Sequence, residues 1–159
     1  MAWTTPRTWV ASELVTATLL NTHLRDNLNA LKNPSVTRRT ETAGTFTTSS
    51  TSFVTVTNGE IELVTTGGHL LVFVSGTLTA NTGLAGYISL LLDGTTRWGS
   101  ATDGLQRVNV PGSGAAGFST SYVVFSGVIS AANHTITLQV KTSTGNLGVP
   151  QFLLWAMET

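Results

Sequence analysis

The sequence predicts an all-β protein: an antiparallel jelly-roll sandwich of about eight to ten strands, preceded by one α-helix and an extended arm. Three observations predict this class. Of the 159 residues, 29 are threonine and 16 are glycine. From about residue 44, short apolar or alternating runs follow one another, separated by turn residues. Threonine is β-branched and favours strands, and glycine allows tight turns.

The first 33 residues are predicted to form a docking arm and an amphipathic helix. The arm carries Trp3, Trp9 and Val10, which cannot build a core by themselves. These tryptophans therefore either insert into another protein or fold back onto the same chain.

The helix is expected over residues 16–33. Thr16 suits an N-cap, leucines recur at spacings of three and four, and Pro34 supplies the stop. An isolated helix of this length is marginal in water, so its apolar stripe needs a partner, either sister helices in an oligomer or the β-domain. The stripe consists of Leu20, Leu24, Leu28 and Leu31.

A linker is expected over residues 34–44 and a β-domain over residues 45–159. Asn58-Gly59 and Asp93-Gly94 are strong hairpin signals. In the run 134–141 the apolar residues alternate with polar ones, which is typical of a strand with one buried face.

The last strand differs because both of its faces are apolar. A sandwich buries only one face of each strand, so the second face needs another cover. A subunit interface is the preferred interpretation, and cover from the N-terminal helix or arm is the alternative. The predicted interface residues are Phe152, Leu153, Trp155 and Met157.

Composition excludes several classes of function. Eight basic residues balance eight acidic ones, which argues against a nucleic-acid partner because phosphate contact needs a basic surface. No cysteine is present, so disulfide and thiolate chemistry are excluded. No secretory leader is visible and the apolar runs are too short to cross a bilayer. We therefore expect no membrane insertion and synthesis in a cytoplasm.

No catalytic pattern is recognisable, and the sequence predicts neither an enzyme nor a metal or cofactor site. The three histidines have no acidic or nucleophilic neighbour at a motif spacing, and we expect them at the surface or at strand edges. Arg97 and Trp98, with Arg107 nearby, are candidate glycan contacts because sites on such scaffolds lie on loops. The alternative places Trp98 in the core or in an interface.

Two resemblances add to this interpretation. Thr8-Trp9-Val10 and the run Leu-Asn-Thr-His-Leu-Arg-Asp-Asn-Leu at 20–28 resemble the opening of small structural proteins of tailed bacteriophages, of the tail-fibre, tip and decoration class. The order of runs 87–94, 122–127 and 133–140, then an apolar last strand, is similar to the trimeric jelly roll of the tumour necrosis factor and complement globular-head type. In that family the last strand lies near the threefold axis.

The resemblances imply a virion component without enzymatic activity. The first expectation is a homotrimeric fibre, tip or spike that docks on other phage proteins through its arm and contacts host surface carbohydrate. The second is a capsid decoration protein that caps threefold positions. A free carbohydrate-binding or hydrolytic domain is the alternative of another class.

Overall fold

The computed structural model describes residues 4–32, 34–41, 46–80, 83–109 and 116–159. Within these ranges one helical segment precedes ten strands, so the all-β class with one N-terminal helix is confirmed. The strands are β1 (Val36–Glu41), β2 (Phe46–Thr48), β3 (Val54–Val64), β4 (His69–Ala80), β5 (Ala85–Leu92), β6 (Thr96–Trp98), β7 (Gln106–Asn109), β8 (Ala116–Val128), β9 (Asn133–Thr142) and β10 (Leu147–Glu158).

The helical segment begins as predicted. Thr16 is its N-cap, and the Thr16 hydroxyl accepts a hydrogen bond from the Leu19 N–H at 3.3 Å. An α-helical turn at Ala17–Leu20 continues through a π-helical stretch at Asn21–Arg25 into an α-helical part at Asp26–Lys32. We call these three parts together the N-terminal helix.

The strands form two five-stranded antiparallel sheets. The first sheet has the order β1-β10-β4-β8, and β2 pairs with another part of β10. The second sheet has the order β3-β9-β5-β6, and β7 also pairs with β5. The Asp93-Gly94 hairpin is confirmed between β5 and β6, with both residues at positive φ.

The core lies between the two sheets and takes alternate residues from both. Branched aliphatic side chains dominate it, and burying each one fully contributes about 1.5–3 kcal/mol. Among the fully buried side chains are Leu70, Val72, Leu90, Ile136, Val140 and Leu154.

One predicted turn is wrong. Asn58-Gly59 does not close a hairpin but lies inside β3, where the pairing with β9 shifts register between Thr55 and Glu60. Asn58 has φ 59°, and a Cβ on Gly59 would come within 2.8 Å of the Val56 carbonyl oxygen. The Asn-Gly pair therefore makes a β-bulge, because the apolar positions on both sides belong to the same core.

The predicted linker at 34–44 also needs correction over the part that the structure describes. Residues 36–41 form β1, which pairs with β10 from Val36↔Met157 to Glu41↔Phe152. This segment is the edge strand of the first sheet, because its β-branched threonines suit pairing as well as they suit an extended linker. Residues 42–44 lie outside the described ranges.

Candidate functional site

The outer face of the first sheet turns away from the core and carries a large apolar patch. Register places side chains from four strands in rows across this face. One row is Arg38, Trp155, Phe73 and Val123, and the row beside it is Val36, Met157, Leu71 and Phe125. We call the seven apolar residues of these two rows the apolar face, and Arg38 borders it on β1.

The apolar face is open to solvent at its β8 edge. Val123 is 63% exposed and Phe125 is 61% exposed, and the Phe125 ring stacks on His69 with centroids 5.1 Å apart. Toward the other end of the sheet the outward positions become polar, with Ser75 opposite Ser121 and their hydroxyls 2.9 Å apart. A concentrated apolar patch on one half of a sheet marks an interaction surface.

Two of the four predicted interface residues, Trp155 and Met157, belong to the apolar face; Leu153 lies on the same outer face in the row of Ser75, and Phe152 does not point outward. Leu153, Trp155 and Met157 are half-buried and point outward. Phe152 is only 3% exposed and belongs to the core between the sheets. Inward and outward side chains alternate along β10, but the sequence does not show this alternation because both faces of the strand carry large apolar side chains.

The arm folds back onto the N-terminal helix. The Thr4 N–H donates to the Asn27 side-chain oxygen and the Asn27 amide donates to the Thr4 carbonyl, each at 2.9 Å. The Trp9 ring meets the His23 ring edge-on at 6.5 Å, but Trp9 and Val10 stay exposed. Trp3 lies outside the described residues.

The leucine stripe of the N-terminal helix lacks cover in the single chain. Its four leucines range from 44% exposed at Leu20 to 67% exposed at Leu31. Near the C-terminal end of the helix, Ala30 and Leu31 line a cavity of about 460 Å³ together with Met157 and Glu158 of β10. The stripe therefore ends close to the apolar face.

The outer face of the second sheet carries a row of cations and aromatic rings. Arg97 Cζ lies 4.4 Å from the centre of the Phe53 ring, and Lys141 Nζ lies 4.9 Å from the same centre. Lys141 Nζ is also 4.8 Å from the Tyr87 ring, and Arg107 Cζ lies 5.8 Å from that ring. We call these five residues the cation–aromatic row.

Sheet pairing and one close backbone approach hold this row in place. Tyr87 pairs with Lys141 of β9 on one side and with Arg107 of β7 on the other. Phe53 precedes β3 and reaches over the loop at Gly104, where an added Cβ would lie 2.9 Å from the Phe53 ring and 2.3 Å from the Ile88 carbonyl oxygen. Gly104 also has φ 63°, so only glycine suits the position.

Two polar atoms beside the row have no partner. Arg97 Nη1 and Gln139 Oε1 are buried without a hydrogen bond, and the Gln139 residue is only 8% exposed. Leaving such a group unsatisfied costs about 1–3 kcal/mol.

The structure separates the three predicted glycan residues. Arg97 and Arg107 lie on the outer face, whereas Trp98, which pairs with Leu90, packs against the core. Sequence reasoning missed Phe53, Tyr87 and Lys141. The alternation of β9 places Lys141 on the outward face, but only the strand pairing shows that it stands beside Tyr87.

His134 is buried, which corrects the expectation of a surface or edge histidine. Its Nδ1 lies 2.7 Å from Asp93 Oδ2, and its Nε2 lies 2.9 Å from the Ser130 carbonyl oxygen. Burial alone would lower the pKa of His134, but the Ser130 carbonyl and the Asp93 carboxylate outweigh it, so the pKa is raised above 6.5. Burial alone would raise the pKa of Asp93, but hydrogen bonds from the Thr135 N–H and from His134 lower it below 3.8.

This cluster resembles a Ser-His-Asp triad but has the wrong contacts for one. A triad histidine must accept the serine hydroxyl proton at the nitrogen that faces the serine. Here Nε2 donates to the Ser130 carbonyl, and the Ser130 hydroxyl lies farther away at 3.4 Å. The contacts of the cluster tie the β5–β6 turn to the start of β9, and they form an ion pair when His134 is protonated.

Comparison with protein-family models and with curated proteins finds no match for this chain. Among the described residues, no group of three or more histidine, cysteine, aspartate or glutamate side chains could hold a metal ion. In the same ranges, no helix has both the length and the apolar character that crossing a bilayer requires.

Proposed function

We propose that this chain is a structural component of a tailed-bacteriophage virion: a homotrimeric fibre, tip or spike protein that docks through its N-terminal arm. The apolar face carries the trimer in this proposal, and the run at 20–28, which resembles the opening of phage structural proteins, carries the virion role. A face of this kind needs cover, and the low charge of the chain gives little protection against association. A second copy of the same chain offers a complementary apolar surface without requiring another gene product.

The pairing of the strands supports a jelly roll as the fold behind the trimer. Pairs are nested from the outside of the chain inward: β1 with β10, β3 with β9, β4 with β8, and β5 with both β6 and β7. Nested antiparallel pairs folded into two facing sheets are the pattern of a jelly roll. The last strand, β10, pairs with β1 in the sheet that bears the apolar face.

The exposed leucine stripe supports the docking part of the proposal. The β-domain leaves these leucines uncovered in the single chain, so sister helices or another virion protein remain as partners. A helix with an apolar stripe of this kind gains stability mainly by packing. The exposed Trp9 and Val10 extend the same uncovered surface into the arm.

The test is the position of the protein on particles. Tailed particles are purified from the host bacterium that carries the gene and are labelled with gold-conjugated antibody against the chain. We expect label at the tail, and label spread over the head would instead favour the decoration protein. A protein that is abundant in the lysate but absent from purified particles would overturn the proposal.

A further inference from the structure

The cation–aromatic row concentrates positive charge in a chain whose formal net charge is zero. Within the described ranges, no carboxylate forms an ion pair with Arg97, Arg107 or Lys141, and the arginine ion pairs lie in the arm and the helix instead. We propose that the row binds an acidic polysaccharide. This inference rests on the proposed function, since it takes a bacterial surface as the target.

The two rings link the three cations into one continuous row. Arg97 and Lys141 share the Phe53 ring, and Lys141 and Arg107 share the Tyr87 ring. Two cations that contact one ring are no farther apart than the sum of their distances to its centre, so the three cations lie close together on the sheet surface. A row of neighbouring cations can pair with a polymer that carries repeated acid groups.

The unpartnered atoms indicate a saccharide rather than a simple anion. Arg97 Nη1 is a donor and Gln139 Oε1 is an acceptor, and neither has a partner. A carboxylate or phosphate alone can satisfy only the arginine. An acidic sugar carries hydroxyl donors as well, so it can satisfy both atoms. Both are covered in the free chain, so binding has to move a side chain of the row.

Direct titration tests the proposal. The full chain is titrated by calorimetry with an oligogalacturonate, which carries carboxylates, with a poly(glucosyl phosphate), which carries phosphates, and with neutral dextran. We expect one or both acidic polymers to bind, with affinity that falls as salt is raised, and dextran not to bind. The two acidic polymers distinguish a carboxylate target from a phosphate target.

Matched variants separate a site from general charge. The double variant Arg97→Gln/Lys141→Gln should weaken binding at least tenfold. The control Arg25→Gln/Arg39→Gln removes the same charge from the helix and from β1, and should bind within twofold of the parent. Arg107 is exposed, so Arg107→Gln should weaken binding about threefold to tenfold without affecting folding. This single variant replaces the first double variant as the test of the site if the double variant misfolds.

Several results would overturn the site. These are no binding of either acidic polymer, equal losses in the two double variants, no change in Arg107→Gln, or tighter binding of a single-stranded oligonucleotide than of any saccharide. The proposed function fails separately. A protein located on the tail that binds no saccharide overturns only the site, and a saccharide-binding protein absent from particles overturns only the virion role.

Discussion

The imidazole of His134 has an acceptor at each ring nitrogen, so its charged form suits the folded chain. Asp93 reaches it from a hairpin turn 41 residues earlier in the sequence, and it also accepts a hydrogen bond from the Thr135 N–H at 2.8 Å. The sequence shows Asp93 as a turn residue and His134 as the start of a strand. Their meeting depends on how β5 pairs with β9, which no local pattern specifies.

This pair predicts a defined pH dependence of stability. The pKa of His134 is raised in the folded chain, so its contribution is complete below about pH 6.5 and is lost as pH rises through the folded-state pKa. The pKa of Asp93 is lowered, so its contribution is present above about pH 4 and is lost as pH falls through the folded-state pKa. The pair therefore contributes most between these limits.

The variant Asp93→Asn should flatten this profile, and it should cost about 1 kcal/mol at pH 5.5, a small value because Asp93 is partly exposed. Asparagine also tolerates the left-handed turn conformation. Urea unfolding across the pH range measures the effect, with Asp103→Asn on an exposed loop as the control. Identical profiles for Asp93→Asn and the parent would show that the pair is not coupled to folding.

Strands with clear alternation or strong flanking turns were predictable from sequence, and the misses have physical reasons. The alternation of β9 and the Asp93-Gly94 turn follow from local chemistry. In β3, Asn58 adopts a positive φ, which a bulge and a hairpin turn both require. The bulge forms because the apolar residues on both sides of the pair belong to the same core. For β1, its pairing with β10 depends on residues more than a hundred positions away.

The N-terminal helix and arm should be dispensable for folding of the β-domain. Their described polar and ring contacts join them to each other, as in Thr4 with Asn27, and the leucine stripe is exposed. Deletion of residues 1–33 should leave a soluble protein with a cooperative thermal transition and a β-sheet circular dichroism spectrum, because β1 is retained. Attachment to particles should be lost.

Deletion of residues 1–41 is the control, because it also removes β1 and the six paired positions of that strand with β10. This longer deletion should lower the thermal midpoint strongly. If deletion of residues 1–33 lowers the thermal midpoint as much as deletion of residues 1–41, the helix belongs to the fold of the β-domain. The proposed division at residue 33 is then wrong.

The two sheets divide the surface of the chain by chemistry. The first sheet presents the apolar face, and the second presents the cation–aromatic row. The apolar letters of the last strand indicated the first surface from sequence, although Phe152 was assigned to the wrong side. For the cation–aromatic row, the sequence predicts only Arg97 and Arg107. Phe53, Tyr87 and Lys141 come beside them through the fold, which the sequence pattern does not specify.

Two valines provide a matched test of the trimer. Val123 lies on the apolar face and is 63% exposed in the single chain, and Val64 lies on the second sheet and is 66% exposed. Val64→Lys and Val123→Lys should thus be equally harmless to a monomer. In a trimer that buries the apolar face, Val123→Lys places an unpaired charge in each interface, which costs at least about 2 kcal/mol per contact.

Light scattering at micromolar concentration measures the difference. The parent and Val64→Lys should have about three times the 16.7 kDa mass of one chain, and Val123→Lys should have the mass of one chain with its circular dichroism spectrum retained. The retained spectrum matters because it separates dissociation from unfolding. A parent that is monomeric, or a Val123→Lys protein as trimeric as Val64→Lys, would mean that the apolar face is not the surface on which copies of this chain meet.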